Sequence, residues 1–179
     1  MGVVIGLQRG ISSVSSGISI RPYRVTELNA VVTLFQRSIR ELGAKHYSDA
    51  QHAAWAPDKI DHGAWQQNLA NAHTLIAEVN HHIAGFISFY TKEDATGYID
   101  LLYCCPHHSR QGIASALYTQ AEAILYREGT NTLRTHASLS AHAFFTRQGF
   151  VVEQLETVSR RNIELPRYAM RKTHPKSPL

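Results

Sequence analysis

The segment LLYCCPHHSRQGIASAL, residues 101–117, is the most informative part of this 179-residue chain. An apolar run stops at Pro106, a polar loop follows, and apolar residues recur at helical spacing from Ile113. The segment therefore predicts a strand, a loop and the start of a helix. The first turn of a helix has unpaired N–H groups and partial positive charge, so this arrangement can bind an anion. Gly112 allows a ligand to approach the backbone closely, and Arg110 adds a charge suited to phosphate.

The rest of the chain predicts an α/β (α+β) fold with a mixed, mainly antiparallel sheet flanked by helices. Strand patterns occupy residues 19–23, 73–79, 83–90, 97–105, 132–135, 150–158 and 163–170. Helical patterns occupy residues 26–42, 49–55, 61–70, 111–128 and 141–148. We expect one domain over residues 18–172, with a Gly/Ser-rich leader at 1–17 and a short tail at 173–179.

The composition argues against several classes of protein. The net charge is +4, but the basic residues are scattered, which does not favour nucleic acid as a partner. No apolar run is long enough to span a bilayer. The two cysteines, Cys104 and Cys105, are adjacent and cannot join distant segments, which indicates a reducing cytoplasm. No cysteine and histidine spacing resembles a metal site, so we expect no metal.

A second informative segment, SLSAHAFFTRQGF, occupies residues 138–150. It resembles the motif Asn–x–x–Ala–x–x–Phe–Tyr–x–x–x–Gly–Phe of the GNAT superfamily of N-acetyltransferases. The first segment is similar to the acyl-CoA loop of that superfamily, Arg/Gln–x–x–Gly–x–Gly/Ala, and the opening Ile20–Arg21–Pro22 is similar to its first strand. The resemblance covers about residues 18–172. It is closest to a bacterial group with Gly–Ala–x–His–Tyr–Ser at 43–48, Ala–Trp–Ala–Pro at 54–57 and Ile–Asp–x–Leu–Tyr at 99–103.

The resemblance implies a GNAT fold with acetyl-CoA as co-substrate. Backbone N–H groups from 110 to 115 would hold the pyrophosphate, and the strand edge at 102–104 would bond the pantetheine arm. The first position of the loop pattern holds Ser109 and the basic residue follows it, but because most of these contacts use the backbone, we expect binding to persist. The residues expected at the cofactor are Leu102, Tyr103, Cys104, Ser109, Arg110, Gln111, Gly112, Ile113, Ala114, Ser115, Ser138 and Phe145.

Acetyl transfer also needs groups that stabilise charge and move protons. The resemblance assigns an oxyanion donor to the strand N–H groups around Tyr103 and Cys104. Many relatives protonate the leaving thiolate with the Tyr of the Phe–Tyr pair, but Phe145 stands at that position here. Another hydroxyl then serves, for which Tyr103 and Tyr168 are the candidates, or the thiolate leaves unassisted. Taken singly, each tyrosine is better explained by simple packing in the sheet.

Two residues are candidates for the base that takes the proton of the amine. Asp100 lies within an apolar strand, where a carboxylate is costly unless it is paired with an arginine or functional. His136, at the end of a strand that should flank the thioester, has a suitable unperturbed pKa, although its placement is also consistent with chance.

The acceptor side is expected to be lined by His46, Tyr47 and Trp55. Trp55 is also a candidate core residue.

The expected reaction is acetyl transfer from acetyl-CoA to a primary amine of a small molecule, by direct attack. A protein or aminoacyl-tRNA acetyltransferase and a non-catalytic CoA-binding module remain as alternatives. A homodimer is also left open, because GNAT domains often pair.

Overall fold

A computed structural model describes residues 17–42, 45–108 and 110–174. Residues 1–16, Gly43, Ala44, Ser109 and residues 175–179, which include most of the expected leader and tail, lie outside the described residues. The strands are β1 Ile18–Pro22, β2 His73–Val79, β3 His82–Thr91, β4 Thr96–Cys104, β5 Thr132–Ser138, β6 Val151–Arg160 and β7 Ile163–Thr173. The helices are α1 Leu28–Leu42, α2 Asp49–Trp55, α3 His62–Ala70, α4 Ile113–Arg127 and α5 His142–Arg147.

The seven strands form one sheet in the order β1-β2-β3-β4-β5-β7-β6. Neighbouring strands are antiparallel except for β4 and β5, which are parallel. β4 pairs with β5 from Thr96 to Ile99 and no further, although both strands continue. The buried Thr135 hydroxyl donates a 2.9 Å hydrogen bond to the Ile99 carbonyl oxygen at the end of this ladder. Beyond that bond the two strands separate, and the sheet has a gap in its centre.

A β-bulge at Asp100 sets which side chains of β4 face each side of the sheet. On β3, Phe89 pairs with Ile99 and Ser88 pairs with Leu101, so Asp100 is an extra residue without a partner. Because of this insertion, Ile99 faces the α4 side, whereas Leu101 packs with the cluster on the opposite side. Asp100 itself is exposed. The sequence-based picture of a carboxylate enclosed by an apolar strand is therefore wrong for this residue.

Two apolar cores cover the two faces of the sheet. One face packs against α4 through buried residues that include Leu117, Tyr118 and Leu125. The other packs against α1 and α3 through buried residues that include Phe35 and Leu69. Burial of apolar side chains such as these is the main favourable contribution to folding.

The approach of α4 to the sheet depends on a glycine in β3. A Cβ atom at Gly85 would lie 2.8 Å from the Cγ2 atom of Ile113 and 3.0 Å from the carbonyl oxygen of Tyr103. Glycine in a strand interior often marks such a close approach. The start of α4 is thereby fixed beside the part of β4 that borders the gap.

None of the helices within the described residues is long and apolar enough to cross a membrane.

Candidate active site

A cavity of about 310 Å³ occupies the gap between β4 and β5. Side chains from both faces of the sheet line it, because the separated strands leave an opening through the sheet. The lining residues are Ser38, Ile39, Leu42, Tyr47, Trp55, Leu102, Tyr103, Cys104, Arg110, Ala114, Ser138, Ser140, Ala141 and Phe144. We call this space the first cavity.

The N-terminus of α4 lies at one end of the first cavity and carries unpaired N–H groups. The first bond of the helix runs from the Ala116 N–H to the Gly112 carbonyl oxygen at 2.9 Å, so the preceding amides have no helical partner. Gly112 caps the helix in a left-handed conformation with φ of 84° and offers no side-chain capping bond. A Cβ atom added there would meet no atom within 4 Å. The helix therefore begins with free donors, positive helix-dipole potential and open space, which suits a phosphate.

The residues of the loop contribute in different ways. The Ile113 side chain is buried in the core, so this residue can offer a ligand only its N–H group. Arg110 lines the first cavity and has φ of 61°, whereas Ser115 and Gln111 are exposed. Ser109 lies outside the described residues.

The edge of β4 that faces the gap carries free backbone donors as well. The Cys105 N–H donates to the Ala84 carbonyl oxygen at 2.8 Å, on the β3 side. Since successive residues of a strand point their N–H groups to opposite sides, the N–H groups of Leu102 and Cys104 point toward the gap. The Tyr103 N–H points toward β3. An extended ligand in the first cavity can thus pair with Leu102 and Cys104, while Tyr103 offers its side chain.

Tyr47 holds the loop before α2 against the sheet. Its hydroxyl donates to the Pro166 carbonyl oxygen at 2.9 Å and accepts the Leu139 N–H at 2.9 Å. Its ring meets Trp55 edge-on at a centroid distance of 5.3 Å. Both rings line the first cavity, but His46 is exposed and does not line it. Two of the three residues expected on the acceptor side therefore lie at the site.

The α5 segment places a different phenylalanine at the cavity from the one expected. Phe144 lines the first cavity, whereas Phe145 is buried in the core at 3% exposure and packs against Tyr118 and Phe150. The expected contact between Phe145 and the cofactor is therefore not supported by its position. Ser138 does line the cavity, and its hydroxyl accepts the Ala141 N–H at 3.1 Å.

Burial keeps two polar groups of the first cavity protonated. It raises the pKa of the Cys104 thiol to about 12. It also raises the pKa of the Tyr103 hydroxyl, an effect that the Trp55 indole and the Arg160 charge oppose. At neutral pH both groups hold their protons, so Tyr103 can donate one and Cys104 is a poor nucleophile.

A second, smaller cavity of about 100 Å³ lies on the other side of Trp55 and Tyr103, which line both spaces. We call it the second cavity. Its other lining residues come from four strands and are Tyr98, Asp100, Leu101, His136, Val158, Arg160, Leu165 and Arg167. The two candidate bases, Asp100 and His136, are thus brought together.

His136 belongs to a chain of hydrogen bonds. Its Nδ1 atom bonds the Tyr98 hydroxyl, and its Nε2 atom lies 3.3 Å from Glu156, which also pairs with Arg167 at 2.5 Å. Burial raises the pKa of Tyr98 to about 12, so this hydroxyl keeps its proton. Burial and then the Arg167 charge lower the pKa of His136, so the ring is neutral at pH 7. Both ring nitrogens are therefore engaged in the described structure.

Asp100 is less constrained. Its carboxylate accepts a 3.3 Å hydrogen bond from the Asn68 side-chain amide, and no arginine or lysine of the described residues forms a salt bridge with it. The alternative role as partner of an arginine is thus not realised. Tyr168 lines neither cavity, and its ring contacts that of His142 in a tilted arrangement at a centroid distance of 4.4 Å. Tyr103 is the better placed of the two tyrosines considered as proton donors.

The gap between β4 and β5 has an open edge of β4 that leads to the free amides of α4. The sequence of the chain also matches a known family. Residues 43–172 match the acetyltransferase (GNAT) domain family. The chain belongs to the GNAT family of acetyltransferases.

Within the described residues, no group of three or more metal-ligating side chains occurs.

Other members of the GNAT family resemble the chain over most of its length. It is 31% identical to the uncharacterised N-acetyltransferase YafP of Escherichia coli K12 over 156 residues, which are 87% of this chain and 96% of that relative. A crystal structure of a GCN5-related N-acetyltransferase from Rhodopseudomonas palustris is 30% identical, with a TM-score of 0.82 over 87% of this chain and 94% of that one. The PaiA N-acetyltransferase of Thermoplasma acidophilum, solved in complex with coenzyme A, has a TM-score of 0.73 at 19% identity, over 88% and 99% of the two chains. The GNAT fold and acyltransferase class expected from the sequence are confirmed.

Proposed function

We propose that this GNAT enzyme transfers the acetyl group of acetyl-CoA to the primary amine of a small molecule by direct attack. The observation that carries the proposal is the gap between β4 and β5, whose open β4 edge leads to the unpaired amides of α4. Strand edge and helix start can together bind an extended arm that ends in a diphosphate.

Acetyl-CoA supplies the reactive thioester in this proposal, and the residues of the first cavity hold it. The N–H groups from 112 to 115 bind the diphosphate, with Arg110 as an added charge. The N–H groups of Leu102 and Cys104 bond the pantetheine arm. Phe144 and Ser138 close the opposite wall.

The acceptor amine approaches from the second cavity. Its nitrogen forms a bond to the acetyl carbonyl carbon as the carbon–sulfur bond breaks, and the sulfur leaves with the electron pair. The proton lost by the nitrogen passes to Asp100, directly or through water, and Tyr103 donates a proton to the sulfur. The volume of about 100 Å³ is smaller than that of pockets for drug-sized ligands, which favours a small acceptor.

The state of Cys104 supports direct attack over an acetylated enzyme. Cys104 is the one thiol that lines the first cavity within the described residues, and a pKa near 12 leaves almost no thiolate at neutral pH. We expect Cys104→Ser to keep most of the wild-type kcat. We also expect the intact mass of the wild type to stay unchanged after incubation with acetyl-CoA alone. An acetyl adduct on Cys104 that an added amine discharges would contradict direct attack.

A thiol-release assay tests the proposed function. Acetyl-CoA is supplied to the full chain with alkylamines, polyamines, amino acids or peptides, and free thiol is measured. Faster release with a small amine than with peptides supports the proposal, and release with peptides alone would indicate a protein acetyltransferase. Thermal stabilisation by acetyl-CoA without release in any mixture would indicate a non-catalytic binding module.

A further inference from the structure

The second cavity carries more charge than the acetylation of an uncharged amine requires. The cavity is lined by three charged residues, Asp100, Arg160 and Arg167. Glu156 contacts two residues of its wall, His136 and Arg167. The pairing among these groups determines which charges are available to a ligand.

Arg167 and Glu156 neutralise each other. The Arg167 Nε atom lies 2.5 Å from the Glu156 carboxylate, and both side chains are about one quarter exposed, at 26% and 25%. The same carboxylate lies 3.3 Å from His136. Because these groups pair with one another across β6 and β7, the pair presents no net charge to a ligand.

Asp100 and Arg160 remain without a partner of opposite charge within the described residues. Both line the second cavity. Asp100 directly follows the last residue of β4 that pairs with β5, whereas Arg160 is the last residue of β6 before a turn. The Arg160 side chain lines the same cavity as Tyr103, whose pKa its charge lowers while Asp100 raises it. One negative and one positive group therefore line the same small space.

We infer that the acceptor is a small zwitterionic amine of the amino-acid class, with its ammonium group at Asp100 and its carboxylate at Arg160. The inference rests on the proposed function, because it names the substrate class of the same site. An ammonium group at Asp100 puts the nitrogen at the gap between β4 and β5. A guanidinium binds a carboxylate through two parallel hydrogen bonds, which fixes the far end of the molecule.

Other classes of amine fit the second cavity less well. A diamine would bring a second positive charge toward Arg160, and like charges repel. A plain alkylamine carries no group that could pair with the Arg160 charge. Straight-chain ω-amino acids, alkylamines and diamines of matched length therefore form an informative series.

Binding to the CoA-saturated protein is the first measurement, since it requires no turnover. We expect ω-amino acids to raise the melting temperature of this complex more than alkylamines or diamines of the same length. Arg160→Gln should remove the advantage of the amino acids. The matched control is Arg161→Gln, because Arg161 is the next residue, lies in the turn and does not line the second cavity.

Thiol release with the same series is the second measurement. For the preferred amino acid, Arg160→Gln should lower kcat/KM roughly tenfold to hundredfold, the loss expected for a charged hydrogen bond. The kcat/KM for the matched alkylamine should fall by a smaller factor, because loss of the Arg160 charge raises the pKa of Tyr103 for every acceptor. Arg160→Glu should shift the preference toward diamines. Equal losses for all amines, or wild-type binding that favours diamines or alkylamines, would overturn the inference while leaving acetyl transfer intact. Specific binding of amino acids without thiol release would support the inference and count against the proposed function.

Discussion

We expect Gly112→Glu to abolish the thermal stabilisation of this protein by acetyl-CoA and to raise the KM for acetyl-CoA roughly hundredfold or more, equal to the loss of one or two charged hydrogen bonds. Gly112 has φ of 84°, and a Cβ atom added there meets no atom within 4 Å. A glutamate carboxylate therefore has room to lie in front of the unpaired N–H groups of α4. It would compete for these donors and repel a diphosphate.

Gly129 provides a matched control at the other end of α4. It also has a left-handed φ, 88°, and open space around an added Cβ atom. Both substitutions force a side chain into the left-handed region, at roughly 1–2 kcal/mol each. Glutamate is favoured by the dipole at the start of a helix and disfavoured at its end, so Gly112→Glu should be at least as stable as Gly129→Glu. An equal loss of the acetyl-CoA shift in both variants would contradict the placement of the diphosphate.

The elements of the fold were predictable where local chemistry specifies them. Ser48 precedes α2 and accepts the Gln51 N–H at 3.3 Å, as its side chain and position indicate. Asn80 and His81 form the turn between β2 and β3 with φ of 50° and 64°, the left-handed conformation typical of two-residue hairpin turns. Such features depend on a few consecutive residues, which is the information that sequence patterns contain.

The bulge and the length of β5 were not predictable in the same way. An apolar strand pattern does not reveal that Asp100 lacks a partner, because this depends on the register with β3. The sequence pattern of β5 ends near Thr135, whereas the strand continues to Ser138 because β7 pairs with it along its whole length. In both cases a neighbouring strand distant in the chain determines the result.

In the candidate site as well, features formed by consecutive residues were predictable, and features formed by distant strands were not. The loop and helix start of the first cavity are consecutive in sequence, and their pattern predicted an anion site. The second cavity is built by β4, β5, β6 and β7, and sequence reasoning missed Tyr98, Arg160 and Arg167 on its wall. Alternation along a strand indicates which residues share a face, but no local signal shows that these three meet.

The position of a residue in the family motif also did not predict which phenylalanine of α5 faces the cavity. The Phe–Tyr pattern of the family placed Phe145 at the cofactor, but the short helix turns this ring into the core and leaves Phe144 at the cavity. The aromatic partners of Phe145, Tyr118 on α4 and Phe150 before β6, come from other elements. Tertiary packing therefore decides which of two adjacent aromatic residues faces the ligand.

We expect Asp100→Asn to lower kcat roughly 10²- to 10⁴-fold, the range for removal of a general base, with the KM for acetyl-CoA unchanged. The substitution keeps the size of the side chain but removes the group that attracts the proton of the acceptor. His136 is the weaker candidate, since Tyr98 and Glu156 already occupy its ring nitrogens. His136→Asn should therefore cost less activity than Asp100→Asn.

The pH dependence separates a base from a residue that only shapes the second cavity. An alkylamine loses its proton unaided as the pH approaches its pKa of about 10, so the need for a base declines. The deficit of Asp100→Asn should accordingly shrink as the pH rises, whereas a deficit caused by distorted geometry would stay constant. Glu93→Gln is a suitable control, because Glu93 is exposed and lines neither cavity. A constant deficit for Asp100→Asn, together with a pH-dependent one for His136→Asn, would assign the proton transfer to the histidine instead.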